Sequence, residues 1–261
     1  MTLFKFSMKK GKMGEQFMAR DGKYILRAKA KQFPIKTAMH LLLKALRRQR
    51  AFVTYFWDKE QAERIAYIKN LYGGSPMDTT MSEALQIYNA VCATSKIMGA
   101  MAEVGVHKGG TARIISVARR ESAKALHLFD TFGEGLPQPS EHDDYNWKKH
   151  AFKISESEFD AIKDAFASAN NVHFHRGLFP VDTGHAVKDK RFSFVNLDVD
   201  LYQSTKDSLE FFYPRLNKGG IIISHDYRGS SGVTKAFDEF FVNKTEPVVE
   251  LSTSQCLVVK V

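Results

Sequence analysis

Apolar and polar positions change their spacing near residue 99. Before it, apolar side chains recur every three or four positions, which is typical of helices. The predicted helices are 38–50, about 56–71, and one that begins after Asp78, Thr79 or Thr80 and ends near Thr94. Glu83 lies where it completes a capping box with Thr80. We interpret residues 1–98 as an N-terminal helical extension and cap.

From residue 99 onward, short apolar runs alternate with amphipathic stretches. This alternation predicts an α/β fold, a doubly wound and mostly parallel sheet with helices on both faces, over residues 99–261. The predicted strands are 100–106, 125–129, 172–175, 192–197 and 220–224. The predicted helices are 109–120, 156–168, 204–215 and 231–241. The final runs PVVEL and QCLVVKV are separated by three residues, which predicts a C-terminal antiparallel hairpin.

The charge of the chain is distributed unevenly. The formal net charge is +9, but residues 1–50 alone carry +12 and the rest carries −3. Within this basic region, TAMHLLLKALRRQRAF (37–52) has the pattern of a basic amphipathic helix, which favours peripheral contact with an anionic membrane or an acidic partner. A cap helix packed on the domain is the alternative. A nucleic-acid partner is not expected, since no basic motif is interleaved with aromatic residues.

The hydrophobic content and the cysteines indicate a cytoplasmic globular protein. Hydrophobic residues make up 44% of the chain, enough for a sizeable core. No apolar run reaches the roughly 18 residues that would span a bilayer, and the first residues lack the pattern of a secretory signal. Cys92 and Cys256 are far apart, without metal-ligand spacing, and are interpreted as reduced thiols.

The first strand of the parallel region ends in a glycine-rich turn, AEVGVHKGGTARI (102–114). Glycines allow backbone N–H groups to approach a ligand, and the turn leads into a helix N-terminus. The spacing differs from the dinucleotide fingerprint G-x-G-x-x-G and from phosphate loops that end in Lys-Ser/Thr. The turn predicts a small-molecule site, with a purely structural turn as the alternative.

Asp130 ends the second predicted strand, in LFDTFGEGLP. An acid at this place is suited to bind both hydroxyls of a ribose. This holds for any cofactor with a free ribose, so Asp130 alone does not separate a nicotinamide from S-adenosylmethionine. A capping aspartate before a turn is the structural alternative.

Acidic residues follow two later strands. FSFVNLDVDLYQST places Asp198 and Asp200 two positions apart, and GGIIISHDYRG ends in His225 and Asp226. If these strands are neighbours, three carboxylates and an imidazole converge, and a divalent cation would relieve their repulsion. Aspartate oxygens suit Mg²⁺, whereas His225 also admits Mn²⁺ or Fe²⁺. The alternative is that the acids cap helices or pair with Arg or Lys.

Five segments in this order resemble the macrocin-type (TylF-like) O-methyltransferases, a branch of the class I S-adenosylmethionine-dependent enzymes. They are AEVGVHKGGTARI, LHLFDTFGEGLP, VHFHRGLFP, FSFVNLDVDLYQSTKDSLEFFYPRL and GGIIISHDY. The resemblance covers about 77–260. It implies a seven-stranded Rossmann-like sheet with an antiparallel last strand, S-adenosylmethionine as methyl donor and a hydroxyl of a sugar, glycan or glycosylated small molecule as acceptor. It also implies a homo-oligomer.

The resemblance implies roles for single residues. The methionine part of the cofactor is implied to lie against Glu103, Gly105 and Gly109, and the ribose against Asp130. Flanking residues are assigned to the same cofactor site: His107, Lys108, Thr131, Phe132 and Gly177. The implied metal ligands are Asp198, His225 and Asp226, and the implied general base is Asp200. The chain departs from the family at His107, where many class I enzymes have glycine, and at His225, where metal-dependent relatives have aspartate. RGLFP (176–180) also lacks the acid that often binds adenine.

The polar segment 131–155 predicts a lid over the cofactor end of the sheet, with Trp147 or Tyr145 closing on the acceptor. An ordinary surface loop is the alternative. Two other functions stay open on the residues alone. An NAD-dependent oxidoreductase would share Asp130 and the glycines but would not need the acidic cluster. A non-catalytic nucleoside-binding module with a membrane-associating basic N-terminus would tolerate loss of Asp200. The acidic cluster favours the methyltransferase.

Overall fold

The computed structural model describes residues 59–72, 79–119, 122 and 124–261. The predicted helix 38–50 and the basic segment 37–52 lie outside the described residues. The described helices and strands belong to one compact unit that spans Asp58–Val261. The division into a cap of residues 1–98 and a domain of residues 99–261 stays a prediction.

The strands follow the predicted alternation. They are β1 (Ala100–Val104), β2 (Leu126–Asp130), β3 (Val172–Arg176), β4 (Phe192–Leu197), β5 (Leu216–Ser224), β6 (Val249–Glu250) and β7 (Cys256–Val259). In the described chain they form one sheet in the order β3-β2-β1-β4-β5-β7-β6. Strands β1 to β5 pair in parallel, and β7 is antiparallel to both β5 and β6. The doubly wound seven-stranded sheet with its terminal antiparallel hairpin is thus confirmed.

Six α-helices are described. They are α1 (Lys59–Tyr72), α2 (Met81–Ala93), α3 (Gly110–Ala118), α4 (Glu156–Ala165), α5 (Tyr202–Phe212) and α6 (Ser231–Phe241). The capping box predicted for α2 is present, because Thr80 and Glu83 satisfy each other's backbone N–H groups. None of the described helices combines the length and hydropathy needed to cross a membrane.

Several element boundaries differ from the prediction, and two of these differences have a local structural reason. Helix α5 ends at Phe212 and continues as a 3₁₀ turn over Tyr213–Arg215, because Pro214 has no N–H to extend the helix. Strand β5 begins at Leu216 rather than near residue 220, and its pairing with β4 contains an irregularity before Ile221. The glycines in LNKGG, which resemble a turn signal, accommodate this irregularity inside the strand.

Apolar side chains are buried on both faces of the sheet. One face packs against α1 to α4 through residues that include Ile68, Ile87, Ile114, Phe159 and Ile162. The opposite face packs against α5 and α6 through residues that include Leu209, Phe212, Val233, Phe237 and Phe241. Because both faces are buried, the strands have continuous apolar sequences. The carboxyl ends of the strands stay available for ligands.

Histidines lie against the apolar core where β2 pairs with the edge strand β3. Nδ1 of His127 lies 2.9 Å from Nε2 of His175, and His127 also stacks on His173 with ring centroids 4.9 Å apart. Burial, followed by the charges of neighbouring histidines, lowers the pKa of His127 to about 3 and that of His175 to about 4. Both rings are therefore neutral in the folded protein at neutral pH.

This pair predicts a loss of stability in acid. Below about pH 6.5 the unfolded chain protonates both histidines while the folded chain does not, so the free energy of unfolding decreases as the pH falls. His127→Phe removes one of these histidines. Between pH 7 and pH 5 we expect the free energy of unfolding of this variant to fall by about 2 kcal/mol less than that of the wild type. Urea unfolding at both pH values measures it. The control His150→Asn, at an exposed histidine, should keep the wild-type dependence, and an unchanged dependence in His127→Phe would contradict the prediction.

Candidate active site

The register of the parallel strands brings four predicted residues to one edge of the sheet. Val104 pairs with Phe129 on one side and with Leu197 on the other, and Leu197 pairs with Ser224. The next residues along these strands are Gly105, Asp130, Asp198 and His225. The glycine turn and the acidic cluster therefore meet at the carboxyl ends of neighbouring strands, where ligands bind in open α/β sheets.

A cavity of about 220 Å³ opens at this edge. Ten of the predicted site residues line it: Gly105, His107, Lys108, Asp130, Thr131, Gly177, Asp198, Asp200, His225 and Asp226. The other three lie outside its lining. Glu103 is buried within β1, Gly109 faces α4, and Phe132 stacks on Phe159 with ring centroids 4.5 Å apart. Gly110, next to Gly109, does line the cavity.

Gly105 places the backbone of the glycine turn directly against the acidic loop. Its φ is +85°, and a Cβ atom there would lie 1.8 Å from the carbonyl oxygen of Asp198. Its N–H donates to the carbonyl of Phe129 at 2.9 Å. Because no side chain fits between the two backbones, glycine is required here.

Asp130 is fixed by backbone groups. Its Oδ2 accepts from the N–H of His107 at 2.9 Å, and its Oδ1 accepts from the N–H of Phe132 at 2.8 Å. The N–H of Gly177 donates to the Asp130 carbonyl at 2.9 Å. Each carboxylate oxygen keeps acceptor capacity, so Asp130 can still bind hydroxyl groups of a ligand.

Glu103 lies beneath the glycine turn and has no exposed surface. Its Oε1 accepts from Nδ2 of Asn196 on β4 at 2.8 Å. Burial raises the pKa of Glu103 to about 8, against the opposing effect of hydrogen bonds from Thr111 and Asn196. Glu103 is therefore placed behind the turn that a ligand would contact.

His225 lies at the centre of the acidic cluster. Its Nδ1 is 2.9 Å from Oδ2 of Asp226 and 3.3 Å from Oδ1 of Asp198. Its Nε2 is 3.5 Å from Oε2 of Glu83, which belongs to α2. The adjacency of β4 and β5, on which the predicted convergence depended, is confirmed.

The cluster concentrates negative charge in a partly buried place. Burial lowers the pKa of His225, but Asp198, Asp226 and Glu83 outweigh it and raise this pKa well above its usual range. Burial, together with the charges of Asp198 and Asp226, also raises the pKa of Asp200 well above that of an ordinary aspartate. The site thus attracts positive charge, as a proton or as a cation.

The donor set fits a divalent cation. Asp198, His225 and Asp226 each offer one ligand atom, and these atoms lie within 4.8 Å of one another. Two carboxylates and one imidazole match the oxygen and nitrogen ligands of Mn²⁺, Fe²⁺ and, through the oxygens, Mg²⁺.

The segment 131–155 lies over the cavity and is tied to the fold. Leu136 exchanges backbone hydrogen bonds with Ala151 and His150. Oδ1 of Asp143 accepts from the N–H of Tyr202 at 2.6 Å, and Oδ2 of Asp144 accepts from the N–H of Ser231 at 2.9 Å. The two aspartates therefore cap the N-termini of α5 and α6, which fixes the segment above the site.

The aromatic residues of this segment have different surroundings. Trp147 lines the cavity together with Phe152, and its Nε1 is buried without a hydrogen-bond partner. Tyr145, the other predicted closing residue, is 99% exposed. The free indole donor of Trp147 and the glycine cradle leave room and bonding capacity for a polar ligand.

Two residues at the site, Glu83 and Thr79, were not predicted to be functional. Glu83 was assigned only to the capping box, and that local motif gives no sign of its contact with His225. Thr79, one residue before the cap, is buried and lines the cavity. The packing of α2 against β4 and β5, which a local pattern does not encode, brings this helix start to the site.

Comparison with known proteins gives a family. A model of the macrocin-O-methyltransferase (TylF) family matches residues 24–253, which extends the match well into the region before residue 77. A Streptomyces olivaceus protein, 8-demethyl-8-(2,3-dimethoxy-alpha-L-rhamnosyl)-tetracenomycin-C 4'-O-methyltransferase, is 29% identical over 166 residues. The match covers 55% of this chain and 63% of that relative, less than two thirds of its length.

Solved structures share the fold. The O-methyltransferase NovP matches with a TM-score of 0.62 and 18% identity, over 77% of this chain and 98% of NovP. The calicheamicin methyltransferase CalS11 matches with a TM-score of 0.60 and 18% identity, over 80% of this chain and 95% of CalS11. At these identities, the comparison establishes the Rossmann-like methyltransferase architecture.

The contact at Gly105 predicts that Gly105→Ala displaces the Asp198 backbone. We expect a stability loss of about 2 kcal/mol or more, from the backbone strain and the clash, together with weaker binding of S-adenosylhomocysteine. Thermal unfolding and calorimetric titration measure the two effects.

Gly109→Ala is the matched control. Gly109 also has a positive φ, +79°, but a Cβ there would meet only side-chain atoms, the nearest at 3.3 Å. We expect the smaller loss of a strained residue, about 1 kcal/mol, with binding retained. Equal losses of binding in both variants would contradict the importance of the Gly105–Asp198 contact.

Proposed function

Because the chain belongs to the macrocin O-methyltransferase family, we propose that it transfers a methyl group from S-adenosylmethionine to a hydroxyl of a sugar or glycosylated small molecule. The observation that carries this proposal is the cavity at the strand ends, with the glycine turn and Asp130 on one side and the acidic cluster on the other. The sugar O-methyltransferase of Streptomyces olivaceus supports the acceptor class. An oxidoreductase would leave the acidic cluster without a use.

The cofactor would occupy the part of the cavity between β1 and β2. Asp130, held by two backbone N–H groups, would accept hydrogen bonds from the ribose hydroxyls. Gly105 would allow the methionine part to lie against bare backbone, with Glu103 behind it. His107, Lys108, Thr131 and Gly177 would complete this side, whereas Phe132 and Gly109 would support the turns from outside the cavity.

The acceptor would be activated at the acidic cluster. A methyl sulfonium is a strong electrophile, so the protein has to orient the hydroxyl and remove its proton. Asp200 is proposed to take that proton, because its side chain lines the cavity beside the acidic cluster. Asp198, His225 and Asp226 would hold a divalent cation. Such a cation would stabilise negative charge on the acceptor oxygen.

The remaining assignments concern location and partners. We propose a cytoplasmic enzyme without a nucleic-acid partner. The basic segment 37–52 is proposed to make a peripheral membrane contact, and the chain is proposed to form homo-oligomers. Deletion of residues 1–50 tests the membrane contact separately from catalysis. The deletion should abolish vesicle binding and leave methyl transfer intact.

The cofactor assignment predicts the outcome of a calorimetric titration. S-adenosylhomocysteine should bind with micromolar affinity in Mg²⁺ and in EDTA, and it should change the fluorescence of Trp147, which lines the cavity. NAD is the control ligand and should not bind. Binding of NAD alone would contradict the proposed function.

The metal assignment predicts the behaviour of Asp198→Ala. This variant should bind S-adenosylhomocysteine within about twofold of wild type but lose methyl transfer by about 100-fold or more, since a charge-stabilising group is removed. Transfer from methyl-labelled S-adenosylmethionine to a panel of nitrophenyl glycosides measures it. Asp189→Ala, at an exposed position outside the cavity, is the matched control, and full activity of Asp198→Ala would refute the role.

A further inference from the structure

The carboxylate of Glu83 connects helix α2 to the acidic cluster. Its Oε2 lies 3.5 Å from Nε2 of His225 and accepts from the backbone N–H of Thr80 at 2.8 Å. Its Oε1 accepts from the hydroxyl of Ser254, between β6 and β7, at 2.7 Å. The side chain is only 8% exposed. A hydrogen bond within its own helix cap and one to the distant Ser254 therefore fix this carboxylate in place.

The two nitrogens of His225 consequently have different environments. Nε2 faces the fixed carboxylate of Glu83, whereas Nδ1 faces Asp198 and Asp226 at 3.3 and 2.9 Å. Neither nitrogen completes a hydrogen bond in the structure, so the contact with Glu83 is electrostatic. A carboxylate beside one ring nitrogen favours the N–H there and leaves the lone pair of the other nitrogen for a ligand. Here that lone pair would point at the two aspartates.

We propose that Glu83 is a positioning residue that holds the His225 imidazole as a nitrogen ligand, so that the Asp198–His225–Asp226 cluster selects Mn²⁺ or a similar transition-metal ion over Mg²⁺. Mg²⁺ prefers a complete shell of oxygen ligands, whereas imidazole strengthens the binding of transition metals. The use of this ion in methyl transfer rests on the proposed function. Binding of the ion does not rest on that function, and it can be measured without an acceptor.

The experiment titrates Mn²⁺ and Mg²⁺ separately into the metal-free full-length protein by calorimetry, and records pulsed electron paramagnetic resonance of the Mn²⁺ complex. We expect Mn²⁺ to bind more tightly than Mg²⁺, with a ¹⁴N coupling from imidazole. Glu83→Gln should lower the Mn²⁺ affinity about 10-fold to 100-fold and weaken the ¹⁴N coupling. His225→Asp should abolish the coupling and reduce the preference for Mn²⁺ over Mg²⁺ about 10-fold.

Two further variants separate positioning from folding. Ser155→Ala removes the equivalent capping hydroxyl at the start of α4 and leaves the groups around Glu83 in place, so it should keep the wild-type Mn²⁺ affinity. Glu83→Asp keeps the charge but withdraws it from Nε2, and it should also lower the Mn²⁺ affinity. This variant replaces Glu83→Gln in the test if Glu83→Gln does not fold. Binding of S-adenosylhomocysteine by each variant reports an intact cofactor site.

The outcomes of this experiment are distinct. Wild-type Mn²⁺ affinity in a folded Glu83 variant would overturn the proposal, as would a wild-type complex without ¹⁴N coupling. A wild-type protein that binds Mn²⁺ as expected but not S-adenosylhomocysteine would instead refute the proposed function and leave the role of Glu83 standing.

Discussion

The parallel register of β2, β1, β4 and β5 sets the geometry of the whole site. It brings the residues after these strands side by side at one edge of the sheet. The closest approach is between Gly105 and the Asp198 carbonyl, where no Cβ fits. A contact between two backbones therefore fixes how far the glycine turn lies from the acidic cluster.

Backbone strain concentrates around the same cavity. Among the described non-glycine residues with positive φ are His107, Asp200 and Asp226, which line the cavity, and Phe152 of the segment above it. Such conformations cost about 1 to 3 kcal/mol each and persist only where the surroundings enforce them. The carboxylates add a further cost, because burial and the charges of Asp198 and Asp226 raise the pKa of Asp200. The apolar core requires neither feature, so both point to binding or catalysis at this edge.

The fold and much of the site were predictable because their signals are local. The alternation of apolar runs with amphipathic stretches predicted the sheet, and acids at strand ends predicted the placement of Asp130 and of the Asp198–Asp226 cluster. Contacts between distant segments left no such signal. The contact between Glu83 and His225 depends on where α2 packs, and Gly110 rather than Gly109 lines the cavity because the left-handed turn at Gly109 directs it toward α4. Phe132 was assigned from its position beside Asp130, but its ring packs into the core.

The segment 131–155 and the acidic loops depend on the same two helix starts. Neither α5 nor α6 has a side-chain cap from its own N-cap residue, Leu201 or Ser230. Asp143 and Asp144 supply the missing acceptors, and α5 and α6 begin soon after Asp200 and Asp226. Displacement of the segment would uncap both helices and release the loops that carry these acids. The same contacts therefore cover the cavity and hold the acidic cluster in position.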